Sequence, residues 1–134
     1  MSKSAIYTVN QSSQSVEPTG VVNLGSIVRR YGCNLNLSGN SILVDGVGYY
    51  SIDCNVVATI PTAGTLTATL FKNGVAIPGA TASADTAADG DVVTLPISIM
   101  IRESCSCNDA SSITCVLTGV ASTVSNISMR VVKD

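Results

Sequence analysis

Few residues of this chain could support catalysis, because its 134 residues include no histidine. Nucleophilic systems of the Ser–His or Cys–His type are therefore excluded, and so is the side chain that most often binds transition metals. Nine acidic and seven basic residues give a net charge of −2, and they form no motif that is typical of an enzyme. We therefore expect a protein with no catalytic residues and no cofactor.

Two clusters contain residue types that bind metal ions. Three aspartates lie within residues 85–91, but their spacing matches no known calcium-binding loop, which favours a solvated loop. Cys105, Cys107 and Cys115 offer three thiolates, whereas zinc sites usually have four ligands and a wider Cys-x₂₋₄-Cys spacing. Five cysteines without a secretory signal indicate free thiols in a reducing compartment. The sequence therefore predicts no metal site.

Two short motifs could bind a ligand or a partner. Arg29-Arg30, followed by Tyr31, could form a fork for phosphate or carboxylate, although such a pair more often forms ion pairs across an interface. Tyr49-Tyr50 could stack on a sugar or a base. Strand alternation would point one ring inward and the other outward, which favours a core residue beside a residue in a subunit contact.

The longest regular pattern of the chain, residues 48–60, contains the tyrosine pair. Apolar residues recur there with a period of two, which is typical of a strand with one buried face. We interpret 48–79 as a hairpin, with a break at 61–64 and a turn at Asn73-Gly74. The residues predicted to face the core are Tyr50, Ile52, Cys54, Val56, Ala58 and Ile60, followed by Leu66, Ala68 and Leu70.

Further strands follow the same pattern along the chain. Val92–Arg102 alternates strongly, and Pro96 within it indicates an edge strand, a bulge or a face that is buried elsewhere. Ala80–Asp91 is rich in small polar residues and is predicted to be a surface loop, with room for one short strand. With roughly eight or more strands and no helical period, the chain is predicted to be an all-β antiparallel sandwich or jelly roll. The other predicted strands are Val21–Arg30, 33–37, Ile42–Val44, Ser112–Thr118 and Asn126–Lys133.

The chain is long enough for one domain, which we place at residues 21–134 after an N-terminal arm at residues 1–20, in which Ala5–Val9 could form a short strand. Only 12% of the residues are charged, about half of the usual quarter for soluble domains. This indicates that part of the surface is buried against copies of the same chain. The outward residues Tyr49, Val57 and Phe71 are the predicted subunit contacts, together with Arg29 and Arg30.

The sequence gives no indication of a nucleic-acid or membrane partner. The basic residues are scattered, so that they could not follow a phosphate backbone. No apolar run reaches the length of a membrane span, and the first residues lack the order of a secretory signal. We therefore expect synthesis and folding in a cytoplasm.

The order of motifs resembles that of the C1q/TNF-like jelly rolls over residues 21–134. The residues that carry the resemblance are G-Y-Y-S-I at 48–52, L-F-K-N-G at 70–74, I-P-G at 77–79 and V-T-L-P-I at 93–97. More narrowly, V-N-L-G-S-I-V-R-R-Y-G at 22–32 makes the chain similar to small virion proteins of tailed phages of Gram-positive bacteria.

This resemblance implies a homotrimer that decorates a phage head and binds the major capsid protein of the same phage. The arm at residues 1–20 would then be the capsid tether, because an extended segment can add a strand to a neighbour. The alternative is a receptor-binding module of a fibre or tail, which would recognise a host surface ligand through Ala80–Asp91 and Glu103–Ser111. Unlike many relatives, this chain has no tryptophan and one phenylalanine.

Overall fold

The structure, a computed structural model, describes residues 4–60, 63–86, 91–103 and 111–133. These residues form twelve strands and no helix. Among them, nothing helical has the length and apolar character needed to span a bilayer. The strands are β1 Ala5–Asn10, β2 Gln14–Val16, β3 Gly20–Val21, β4 Ser26–Tyr31, β5 Leu35–Ser38, β6 Ser41–Val44, β7 Gly48–Ile60, β8 Gly64–Lys72, β9 Val75–Thr86, β10 Asp91–Glu103, β11 Ser111–Gly119 and β12 Ser122–Lys133.

The strands form two antiparallel sheets that pack face to face, as predicted for a sandwich. The first sheet, called sheet A here, has the order β10-β7-β12-β1-β4, with β2 also paired to β12. The second, sheet B, has the order β5-β6-β11-β8-β9, with β3 also paired to β11. One side of the sandwich is therefore bounded by the edge strands β10 and β9, and the other by β4 and β5.

The core lies between the inner faces of the two sheets, and alternation along the strands fills it. The nine residues predicted to face inward on β7 and β8 are all buried. Burying this continuous apolar layer is the main source of stability for a domain of this size. The other buried residues from sheet A include Ile6, Leu95, Ile127, Met129 and Val131, and those from sheet B include Leu35, Ile42, Ile113 and Leu117.

The predicted hairpin between β7 and β8 is wrong, although both strands exist. β7 pairs with β10 and β12 in sheet A, whereas β8 pairs with β9 and β11 in sheet B. The connection between β7 and β8 therefore crosses from one sheet to the other, so that their two apolar faces meet in the core. The hairpin of this region is β8–β9, whose turn has positive φ at Asn73 and Gly74, as that dipeptide predicts.

Two other predictions about strands need correction. Val21–Arg30 is not one strand, because β3 and β4 lie in different sheets and buried Val22 and Leu24 connect them. Gly25 makes this connection possible: its φ is +81°, and a Cβ there would lie 2.3 Å from the carbonyl oxygen of Val9.

The predicted loop at 80–91 is largely a strand. Residues up to Thr86 belong to β9, and β10 begins at Asp91. Small residues allow this pairing, because Ala80 is buried while the hydroxyls of Thr81 and Ser83 pair with Thr69 and Thr67 of β8. Residues 87–90 of the prediction lie outside the described residues. Of the alternatives that Pro96 indicated, the edge strand is the one observed, since β10 lies at the edge of sheet A.

The segment predicted to be an arm contains two strands of sheet A. β1 lies between β12 and β4 in the interior of the sheet, with Ile6 and Thr8 buried, and β2 pairs with β12. The boundary that we predicted at residue 20 therefore separates strands that share one sheet. The short strand indicated at Ala5–Val9 corresponds to β1, but the segment lacks the long apolar alternation of β7, so the sequence did not show that this strand lies inside the sheet.

Candidate subunit interface

The outer face of sheet A extends across five strands. Because partners in antiparallel strands lie directly opposite each other, the outward residues form rows across the sheet. One row, called the apolar row here, begins at the β10 edge and ends at the β4 edge. Its members are Met100, Ser51, Val132, Ala5 and Tyr31. Both ends are exposed, Met100 at 59% and Tyr31 at 57%.

The neighbouring row carries charged side chains, and we call it the charged row. It consists of Ser98, Asp53, Arg130, Tyr7 and Arg29 in the same direction across the sheet. Asp53 Oδ2 accepts a hydrogen bond of 2.5 Å from Arg130 Nη2, and Asp53 Oδ1 accepts one of 2.7 Å from the Ser98 hydroxyl. The hydrogen bond from Ser98 and then the Arg130 guanidinium lower the pKa of Asp53 below its ordinary value.

The charged row carries one guanidinium more than it has carboxylates. Arg130 is paired with Asp53, whereas no carboxylate of the described residues lies within ion-pair distance of Arg29. Arg29 and the Asp53–Arg130 pair line the same pocket, which has a volume of about 480 Å³. The lining residues are Tyr7, Arg29, Asp53, Asn55, Ser128 and Arg130. An unpaired cation on an exposed face favours an anionic group as its partner.

The two predicted arginines have different environments. Arg29 lies on the outer face of sheet A opposite Tyr7, whereas Arg30 lies opposite Ile6, which points into the core. Arg30 Nε donates a hydrogen bond of 2.6 Å to the carbonyl oxygen of Leu35, so that it links the edge of sheet A to β5. The structure therefore does not bring Arg29 and Arg30 together as a fork.

The three predicted contact residues divide between the two sheets. Tyr49 and Val57 both face outward on β7, as the alternation predicts, with Tyr49 51% exposed and Val57 partly buried. Phe71 faces outward from β8 in sheet B, on the side of the sandwich away from Tyr49. Its neighbours in that sheet are Thr114 and Ala76. A contact on one side of the sandwich can therefore include Tyr49 and Val57 but not Phe71.

A cleft of about 400 Å³ lies where the edges of β9 and β10 meet. Its walls are mainly apolar, with two cations at the rim, and Val75 beside it is 69% exposed. Lys72 and Arg102 supply the positive charge, and Lys72 Nζ donates a hydrogen bond of 3.1 Å to the carbonyl oxygen of Arg102. The lining residues are Lys72, Val75, Ala76, Ile77, Pro78, Met100, Ile101 and Arg102.

A buried carboxylate fixes the rim of this cleft. Glu103 is 8% exposed, its Oε1 lies 4.0 Å from Lys72 Nζ, and its Oε2 accepts a hydrogen bond from the Ser111 hydroxyl. Lys72 is thereby held by a group beneath the surface, rather than being free to move through solvent. Its charge is therefore positioned at the mouth of the cleft.

The outer face of sheet B has a different chemistry. Thr67 pairs with Ser83 at 2.9 Å, Thr69 pairs with Thr81 at 3.4 Å, and Thr65 donates a hydrogen bond of 2.5 Å to Asp85. These side chains bond to one another across β8 and β9, and water can solvate what remains.

The cysteines that the structure describes are free thiols. Cys33 is exposed, whereas Cys54 of β7 and Cys115 of β11 are buried and approach each other across the core. Their thiol hydrogen bond, followed by burial, raises the pKa of Cys54 well above its ordinary value. Within the described ranges, no group of three metal-binding side chains comes together. Cys105, Cys107 and Asp89 lie outside those ranges.

Sequence reasoning did not select Met100, Val75 and Tyr7 as surface contacts. The signal was present for Met100, since the alternation of Val92–Arg102 places it on the outward face. Val75 follows the Asn73-Gly74 turn as the first residue of β9, and Tyr7 lies in a strand of six residues, so that no apolar alternation marks the face of either residue.

No protein-family model and no curated protein matches this sequence, but its fold is found among solved structures. Murine APRIL superimposes with a TM-score of 0.73 at 14% identity, over 99% of this chain and 100% of the other. The globular domain of zebrafish complement 1qA gives 0.66 at 7% identity, over 94% of each chain. The fold is a TNF/C1q-like jelly roll. The PRD1 vertex protein P5 shares this jelly roll with a TM-score of 0.60 at 12% identity, over 97% of this chain and 96% of the other.

Proposed function

We propose that this chain is a non-enzymatic structural protein of a tailed-phage virion, present as a homotrimer that decorates and stabilises the head. The observation that carries the proposal is its likeness, along nearly the whole chain, to the jelly roll of a phage vertex protein. The sequence motifs at 22–32 and 48–52 support the same class. The chain has no histidine for acid–base or nucleophilic chemistry, in keeping with an adhesive role.

Three copies would associate through the outer face of sheet A. TNF/C1q-like proteins are typically homotrimers, and the low charge of this chain fits a surface that is partly covered by copies of itself. Sheet A offers the features of a subunit contact, namely exposed Tyr49, Met100 and Tyr31 around an ordered ion pair. Tyr49 and Val57 keep their predicted role in this contact, and so does Arg29.

The partner in the virion would be the major capsid protein, after synthesis of this chain in the host cytoplasm. Residues 1–20 could not act as a free, extended tether, because β1 is an interior strand of sheet A. Removing residues 1–20 would expose the core beneath Ile6 and unfold the domain, so that the truncated chain cannot serve as a test of capsid attachment.

Immuno-electron microscopy of purified virions of the encoding phage tests the proposal. Antibodies raised against this chain should label the head at many positions. Labelling confined to the tail or fibre would support the receptor-binding alternative, which predicted a site in the loops Ala80–Asp91 and Glu103–Ser111. The absence of the chain from purified virions would overturn both. Glycan-array binding of the isolated protein separates the two functions further, since a decoration protein should give only background signal.

A further inference from the structure

The two edges of sheet A carry complementary groups at matching positions along the strands. The apolar row begins at Met100, in the wall of the β9–β10 cleft, and ends at Tyr31 on the opposite edge. The two ends of a row are linked by direct cross-strand pairs through all five strands. An aromatic ring and an apolar cleft therefore lie in the same row, on opposite edges of a single copy.

The charged row repeats this complementarity one step further along the strands. At the β10 side lie Ser98 and the carboxylate of Asp53, whose side chain is 41% exposed. At the β4 side lies Arg29, with no carboxylate of the described residues within ion-pair distance. In both rows, the β4 end carries a projecting side chain, Tyr31 or Arg29. The β10 side carries the group that could receive it, the cleft or the carboxylate of Asp53.

Surfaces that differ in this way form heterologous contacts, in which one patch of a copy binds a different patch of the next copy. Such contacts give a closed ring when the rotation between copies is a simple fraction of a turn. If the axis runs parallel to the strands, the two ends of the same row meet between neighbours. One arrangement of the copies then brings together the complementary ends of both rows. Agreement between two rows is stronger support for this arrangement than a match in one row alone.

We propose that, in the assembly, Tyr31 of each copy enters the β9–β10 cleft of the next copy, while Arg29 approaches the neighbour's Asp53. This proposal rests on the proposed homotrimer and specifies which surfaces form it. The occupant of the cleft is a second copy of this chain. The ring of Tyr31 contacts Met100 and Pro78, and its face lies beside the cations at the rim.

Cysteine cross-linking tests this arrangement directly. Cys33, Cys105 and Cys107 are replaced by serine, and Tyr31→Cys is combined with Met100→Cys. Within one copy these positions are separated by four strand spacings, about 19 Å, which no disulfide can bridge. Oxidation by copper-phenanthroline and dissolved oxygen should therefore join neighbouring chains and give a covalent trimer on a non-reducing gel.

A matched control uses Tyr31→Cys with Val92→Cys. Val92 also faces outward on β10 and is also exposed, but it lies about 27 Å along the strand from Met100. This pair should remain uncross-linked. Light scattering of the same variants before oxidation establishes whether they are trimers, and circular dichroism establishes that they are folded.

The outcomes separate this inference from the proposed trimer. A trimer by mass that forms no covalent trimer with Met100→Cys, or that cross-links equally with Val92→Cys, would overturn the arrangement and leave the trimer intact. A monomeric mass of the unmodified protein would overturn both. A second variant needs no cysteine: Tyr31→Ala should raise the dissociation constant of the assembly on the order of 30-fold, and Tyr31→Phe should leave it within a few-fold. Equal affinity of Tyr31→Ala and the unmodified protein would also overturn the arrangement.

Discussion

The two sheets of this molecule are alike on their inner faces and different on their outer faces. Inside, each contributes an apolar layer from alternate positions of long strands. Outside, sheet B carries paired threonines and serines, whereas sheet A carries exposed Tyr49 and Met100 together with the Asp53–Arg130 ion pair. Hydroxyl pairs suit a surface that faces water, and aromatic side chains around an ordered ion pair suit a surface that faces another protein. The difference indicates which side of the sandwich is covered in the assembly.

The largest effect should come from placing a charge in the middle of each outer face. Val132 on β12 and Val116 on β11 are matched, because both are partly buried, face outward and lie on interior strands. Val132→Lys would bury an unpaired ammonium in the contact at a cost of about 3–5 kcal/mol, and it should give monomers. Val116→Lys should remain a trimer. Light scattering checks both, and dissociation of the Val116 variant alone would reverse the roles assigned to the sheets.

A smaller loss of assembly is expected from the outward aromatics. Tyr49→Ala should raise the dissociation constant at least tenfold, because this exposed aromatic side chain on sheet A would be buried in the proposed contact. Phe71→Ala, on sheet B, should leave the mass unchanged and lower only the melting temperature. Sedimentation over a concentration series distinguishes the two. If Phe71→Ala weakened assembly and Tyr49→Ala did not, the predicted contact residue on sheet B would be the relevant one.

Substitutions on the inner faces of the two sheets should lower stability by similar amounts, whereas substitutions on the outer faces should differ in their effects. Cys54→Ala and Cys115→Ala each remove a buried sulfur from one wall of the same contact. Each should lower the free energy of unfolding by about 1–2 kcal/mol, and the double variant should lose less than the sum. Chemical denaturation measures this. Strict additivity would show that the two thiols do not interact across the core.

The smallest effect concerns the ion pair and its pH dependence. The folded state lowers the pKa of Asp53, so that its carboxylate stabilises the protein above its ordinary value of 3.8 and loses this contribution as the pH falls through the folded pKa. Asp53→Asn should therefore be less stable near neutral pH by under about 1 kcal/mol, and the gap should close below pH 3.8. Melting curves from pH 7 to pH 2 test this. A gap that stays constant with pH would contradict it.

The sequence predicted the strands better than it predicted their partners. Alternation in β7, β8 and β10 identified the buried face correctly, because burial on one side imposes a period of two. Alternation contains no information about which strand lies alongside, so the assignment of β7 and β8 to one hairpin was wrong. β9 was missed between residues 80 and 86 because Ala82 and Ala84 give little apolar contrast with their polar neighbours.

Because alternation does not reveal strand partners, the candidate interface was also predicted only in part. Alternation identified Tyr49 and Phe71 as outward residues, but the face to which each belongs depends on the sheet of its strand. The complementary ends of the two rows depend on register across five strands, from Met100 to Tyr31, and that register appears only after folding.

The solution mass of the purified protein, measured by light scattering with and without reductant, tests the central claim most directly. If the outer face of sheet A is a subunit contact, the mass should be three times 13.7 kDa in both conditions, since no disulfide is needed for it. A mass of 13.7 kDa would contradict the account. The aromatic face of sheet A would then have to be covered by a different protein.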